Sequence, residues 1–63
     1  MKYKTDDRVK LKEKYDDDAK NIHLSKGAKG TVRGRDIESE IYKVKFDASS
    51  KLIFLKENKL DPA

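Results

Sequence analysis

Cysteine is absent from the chain, and histidine occurs once. Without cysteine there is no disulfide framework, no thiol nucleophile and no thiolate zinc site. A 63-residue fold lacking such staples depends on one economical core, because a domain near this size buries only about 60% of its unfolded surface. Met1–Asp7 is polar from the start and offers no apolar segment for a signal peptide or a membrane span. These absences favour a cytoplasmic, monomeric protein with one domain, 1–63, whose ordered core covers about residues 6–61. No internal repeat, linker or low-complexity tract divides it.

What the chain has in abundance is charge. Hydrophobic residues make up 35% of it and charged residues 44%, a balance that by itself leans towards disorder. The apolar residues are grouped, however, in short alternating runs set off by turn residues, which disorder does not require. Sixteen basic and twelve acidic residues leave a net charge of +4, a modest bias towards polyanionic partners.

Asp7–Lys12 alternates apolar and charged residues with the period of a half-buried strand, Val9 and Leu11 on one side and Arg8, Lys10 and Lys12 on the other. Glu13 to His23 breaks that pattern and reads as a long surface loop with Ile22 as its anchor. A helical turn could start at one of its aspartates. Leu24–Gly30 is a hinge in which Gly27 supplies a positive φ, and Gly30 opens a strand at a bulge or a close backbone approach. Thr31-Val32-Arg33 continues that strand, and Gly34–Glu40 is a reversal longer than a two-residue turn.

Ile41–Phe46 is the clearest strand, with Tyr42, Val44 and Phe46 facing one way and Lys43 and Lys45 the other. Asp47–Ser50 is a turn. Leu52–Leu55 is a continuous apolar run, so both of its faces should be buried or one should lie under a loop. Lys56–Lys59 suits a single helical turn, and Leu60 resumes an apolar position. Residues 1–7 read as loosely held, with Tyr3 available to pack back onto the core.

The elements Gly27-Ala28-Lys29-Gly30-Thr31-Val32, Tyr42-Lys43-Val44-Lys45-Phe46-Asp47 and Glu57-Asn58-Lys59-Leu60, together with Val9-Lys10-Leu11, resemble the SH3-like barrels. The chain looks like small bacterial and phage-encoded barrels of that kind, and is similar to the small barrel protein of photosystem I and to KOW modules. The resemblance implies an all-β fold, a small SH3-like barrel of about five antiparallel strands with a long first loop. It does not imply polyproline recognition, because that activity needs a dense aromatic groove with tryptophan. Here tryptophan is absent and Tyr3, Tyr15 and Tyr42 are the only tyrosines.

Chemistry is harder to find. His23 follows three carboxylates (Asp16, Asp17 and Asp18), but no spacing sets a base against an oriented nucleophile, and it reads as a surface-loop histidine. Consecutive aspartates seldom converge on one ion, and the spaced calcium-loop pattern is missing. No catalytic residue, metal ligand or cofactor is expected. Two binding readings remain. In the first, the barrel rim and the 13–23 loop, with Tyr15, Asp16, Asp17, Asp18 and His23, contact a protein partner. In the alternative, the outward basic residues Lys10, Lys12, Arg33, Lys43 and Lys45, with Arg35 nearby in the reversal, form a weak, salt-dependent nucleic-acid face.

Overall fold

The computed structural model describes all 63 residues, which are all-β apart from one 3-10 turn. The strands in chain order are β1 (Arg8–Leu11), β2 (Tyr15–Asp17), β3 (Ile22–Leu24), β4 (Lys29–Asp36), β5 (Ile41–Phe46), β6 (Leu52–Lys56) and β7 (Leu60–Pro62). Five of them form an antiparallel sheet in the order β6-β5-β4-β1-β7, while β2 and β3 pair as a separate hairpin. The small antiparallel barrel is present, with two strands more than the five anticipated.

The core follows from period-2 alternation. Val9 and Leu11 of β1, Val32 of β4, Tyr42, Val44 and Phe46 of β5, and Ile53 and Leu55 of β6 all bury their side chains on the inner face of the sheet. Ile22 and Leu24 of the hairpin, Leu60 and Tyr3 complete the same cluster. Each such aliphatic or aromatic side chain contributes about 1.5–3 kcal/mol through burial, and the chain has few to spare.

Four expectations need correction. Residues 13–23 are not a loop with a helical turn but mostly a hairpin, in which Tyr15 pairs with Leu24, Asp16 with His23 and Asp17 with Ile22. Its turn closes because Asp17 Oδ1 accepts the Lys20 N–H at 3.2 Å and Asn21 takes the left-handed conformation at φ 54°, which asparagine tolerates. Residues 1–7 are not loose, because Tyr3 is 4% exposed and the Asp6 N–H donates to the Val32 carbonyl at 2.7 Å. The buried set therefore begins before residue 6. β4 runs on to Asp36, so the reversal is only Ile37–Glu40. Finally, β6 is not covered on both faces: Leu52 is 46% and Phe54 60% exposed, while Ile53 and Leu55 are buried.

Two buried hydroxyls settle how the ends of the chain are fixed. The Tyr42 hydroxyl accepts the Tyr3 N–H at 3.0 Å and donates to Glu57 Oε1 at 2.8 Å. The same carboxylate oxygen accepts the Lys2 N–H at 2.6 Å, and the Tyr3 hydroxyl donates to the Leu60 carbonyl at 3.3 Å. The Tyr3 and Tyr42 rings meet edge to face with centroids 5.4 Å apart, a favoured aromatic geometry. Glu57 opens the 3-10 turn Glu57–Lys59, so the network joins the two end segments of the chain to β5.

The hinge uses its two glycines differently. Gly27 has φ +85° with open space around its missing Cβ, whereas a Cβ on Gly30 would lie 2.9 Å from the Lys45 carbonyl oxygen and from Val44 Cγ1. Gly27→Val should therefore destabilise through backbone strain, and Gly30→Ala by forcing β4 away from β5, at roughly 1–3 kcal/mol for such overpacking. Gly34→Ala should be near neutral, since its Cβ would meet only Lys43 Cδ at 3.6 Å. Phe46→Ala should cost about 3–5 kcal/mol. Urea unfolding checks all four, and a loss below about 1 kcal/mol at Phe46 would contradict the core register.

Candidate functional site

The outer face of the main sheet carries rows of side chains fixed by strand register. One row runs Lys10–Lys29 from β1 to β4, a second runs Arg8–Thr31–Lys45–Leu52 from β1 to β6, and a third runs Gly34–Lys43–Phe54. Arg8 is already engaged: its Nη1 donates to Thr31 Oγ1 and Asp47 Oδ1, each at 2.9 Å, and its Nη2 donates to Asp47 Oδ2 at 2.7 Å. The guanidinium holds the Asp47 carboxyl below the ordinary aspartate range. Lys12 lies 3.8 Å from Asp61, and Lys45 Nζ donates to the Phe46 carbonyl at 2.7 Å. Lys10, Lys29 and Lys43 make no ion pair, and Lys43 Nζ sits 5.9 Å from the centre of the Phe54 ring.

The structure does not assemble all six expected basic residues on that face. Between Val32 and Gly34 the β4–β5 register shifts by one residue, making Arg33 the extra residue of a β-bulge. Alternation inverts beyond a bulge, so Arg35 stands opposite Tyr42 rather than beside Lys43. Its Nη1 donates to the Tyr3 carbonyl at 2.8 Å, which makes it a clamp on the N-terminal segment. Lys10, Lys43 and Lys45 do share the outer face, Lys12 extends it next to an aspartate, and Arg33 is exposed on the bulge.

The second candidate surface is the hairpin. Because Ile22 and Leu24 point into the common core, the hairpin lies on the inner side of the sheet, away from the outer lysine rows. Its three carboxylates divide between two places, Asp17 at the turn and Asp16 and Asp18 beside His23. Asp16 Oδ1 lies 3.0 Å from His23 Nδ1, Asp17 closes the turn, and Asp18 Oδ1 is 3.7 Å from His23 Nε2. His23 and, less strongly, Lys14 keep the Asp16 carboxyl below its usual range. No three acidic or histidine side chains converge as a metal cage would require. Tyr15 is half-buried against the core, and burial, then the Asp17 charge, pushes its phenol upward.

Beside Tyr15 a groove of about 260 Å³ runs between hairpin and barrel. Its apolar lining comes from Leu11, Tyr15 and Leu55, and its charged rim from Glu13, Lys14, Asp16 and Lys59. Sequence reasoning placed Tyr15 and Asp16 at a contact surface but missed Leu55 and Lys59, which only tertiary packing brings there. It also missed Phe54 and Leu52 on the outer face, because Leu52–Leu55 is apolar at every position and so does not show which parity faces out. No helix of the chain is long and apolar enough to cross a membrane. No protein-family model, curated protein or solved structure matches the chain.

Three carboxyls, those of Asp16, Asp47 and Glu57, are held below their ordinary range. For Glu57 the causes are the Lys2 N–H first and the Tyr42 hydroxyl second. A depressed carboxyl contributes stability above its unfolded value and loses it as pH falls through the folded value. Stability should therefore be flat near neutrality and decline below about pH 5, and Glu57→Gln should flatten part of that decline. Urea midpoints measured from neutral pH to about pH 3 check this; an unchanged acid slope in Glu57→Gln would contradict it.

Proposed function

We propose that the chain is a non-catalytic, cytoplasmic binding module that docks a segment of a partner protein at the barrel rim. The observation that carries this reading is the groove between hairpin and barrel, with its Leu11, Tyr15 and Leu55 lining inside a rim of both charge signs. Such a site combines an apolar anchor position with polar groups that fix orientation, the usual composition of a recognition pocket. Tyrosine is well suited to the centre because it adds a large amphipathic surface at small entropic cost. The hairpin presents that residue from a rigid ladder and not from a floppy loop, which lowers the ordering cost of binding. The non-catalytic part is supported by His23, which is directed at Asp16 rather than at a serine hydroxyl. A chain without cysteine also suits a reducing compartment.

Peptides selected from a random-sequence library against the folded protein test the reading. Amide resonances of Tyr15, Asp16, Leu55 and Lys59 should shift on binding, and Tyr15→Ala should weaken it by roughly tenfold or more while the fold is kept. Selected peptides that bind equally well to Tyr15→Ala, or that shift only the outer sheet face, would contradict it.

A further inference from the structure

We infer that the outer face of the main sheet is a platform for single-stranded nucleic acid, with Phe54 as its stacking residue. This goes beyond the rim reading and does not rest on it. Phe54 is 60% exposed on β6, and Leu52, two residues earlier on the same face, is 46% exposed. One exposed apolar residue needs no explanation, but Phe54 and Leu52 adjoin on the outward face of β6, and contiguous exposed apolar surface rimmed by polar groups marks an interaction site.

The surroundings of the ring say what kind of partner fits. Strand register places Lys43 beside Phe54 and Lys45 beside Leu52, while Lys29 and Lys10 stand side by side on β4 and β1, the next two strands of the sheet. From β6 to β1 this surface crosses three strand spacings, roughly 14 Å. Two carboxylates lie at its margin: Asp47 is occupied by Arg8 through paired hydrogen bonds, and Asp61, opposite Lys10 on β7, lies 3.8 Å from Lys12. The acidic hairpin packs on the other side of the core, so it does not oppose an anion approaching the lysines.

Charge complementarity therefore calls for an anion, and the exposed ring calls for one with flat apolar faces. Single-stranded nucleic acid offers both, since phosphates track a cationic groove while unstacked bases lie on aromatic side chains. A duplex hides its base faces in its own stack and leaves Phe54 without a partner. A second copy of the chain would bring the same lysines face to face. An acidic peptide would satisfy the lysines but not the ring.

Fluorescence anisotropy with a short labelled oligothymidylate tests the proposal, with the matching duplex and labelled polyglutamate as parallel probes. The single strand should bind more tightly than the duplex, with an affinity that falls linearly on a log–log salt plot by roughly 0.7 per phosphate contacted. Phe54→Ala should weaken single-strand binding about five- to hundredfold, the range for losing one stacked base, with little change in salt slope. Lys29→Gln with Lys43→Gln should instead lower the slope by about 0.7 for each phosphate no longer neutralised. All three side chains are exposed, so unchanged thermal melting should accompany these effects, and Tyr15→Ala at the rim should bind oligothymidylate as the parent does. No binding at low salt would overturn the proposal, as would indifference to Phe54→Ala. Polyglutamate binding that is equal in strength and equally weakened by Phe54→Ala would also overturn it, assigning the face to an acidic protein segment.

Discussion

The Tyr42 hydroxyl is the point on which the arrangement of this chain depends. It belongs to a fully buried residue of β5, where an unpaired polar atom would cost about 1–3 kcal/mol. Its two partners, the Tyr3 N–H and the Glu57 carboxylate, come from opposite ends of the sequence. Satisfying one buried hydroxyl thus requires the N-terminal segment and the 3-10 turn to be in place together. Arg35 adds a clamp on the Tyr3 carbonyl from the end of β4, and no buried side-chain polar atom in the protein is left without a partner. A small domain without a disulfide gains in this way a cross-link between its termini made of hydrogen bonds and an aromatic pair.

That inner solution has consequences for the outer surface. Because the core uses one parity of each strand, the opposite parity is free to vary in chemistry. On most of the sheet it is filled with lysine and threonine, as a solvated face requires. Phe54 and Leu52 break the pattern on β6, the edge strand of the sheet. The hairpin meanwhile closes the inner side and carries the acidic residues away from the lysines. Asp16, Asp17 and Asp18 are thus kept off the outer face, where lysine and arginine outnumber the two carboxylates, Asp47 and Asp61.

Strands with strict alternation were legible from sequence because one residue decides the side of the next. Ile41–Phe46 is the case in point, and its inward set of Tyr42, Val44 and Phe46 is the observed one. The hairpin was not legible, since Tyr15-Asp16-Asp17 and Ile22-His23-Leu24 are too short to show a period and three carboxylates masked the first of them. The position of Arg35 was not legible for a different reason. Gly34 reads as the start of the reversal rather than as the far side of a bulge, so the continuation of β4 that sets Arg35 opposite Tyr42 has no local signature. The role of Tyr3 depends on a partner thirty-nine residues away, which periodicity does not see. Binding surfaces share this difficulty, because the rim groove joins residues from β1, β2 and β6.

The most direct measurement is amide hydrogen exchange in Tyr42→Phe, which deletes one oxygen and leaves the ring. If the hydroxyl joins the two ends of the chain, the variant should lose about 1–3 kcal/mol of stability. The Tyr3 and Asp6 amides should then lose more protection than the amides of β5, because the N-terminal segment opens on its own before the sheet does. A variant as stable as the parent, or one whose protection falls evenly over the whole sheet, would contradict the account.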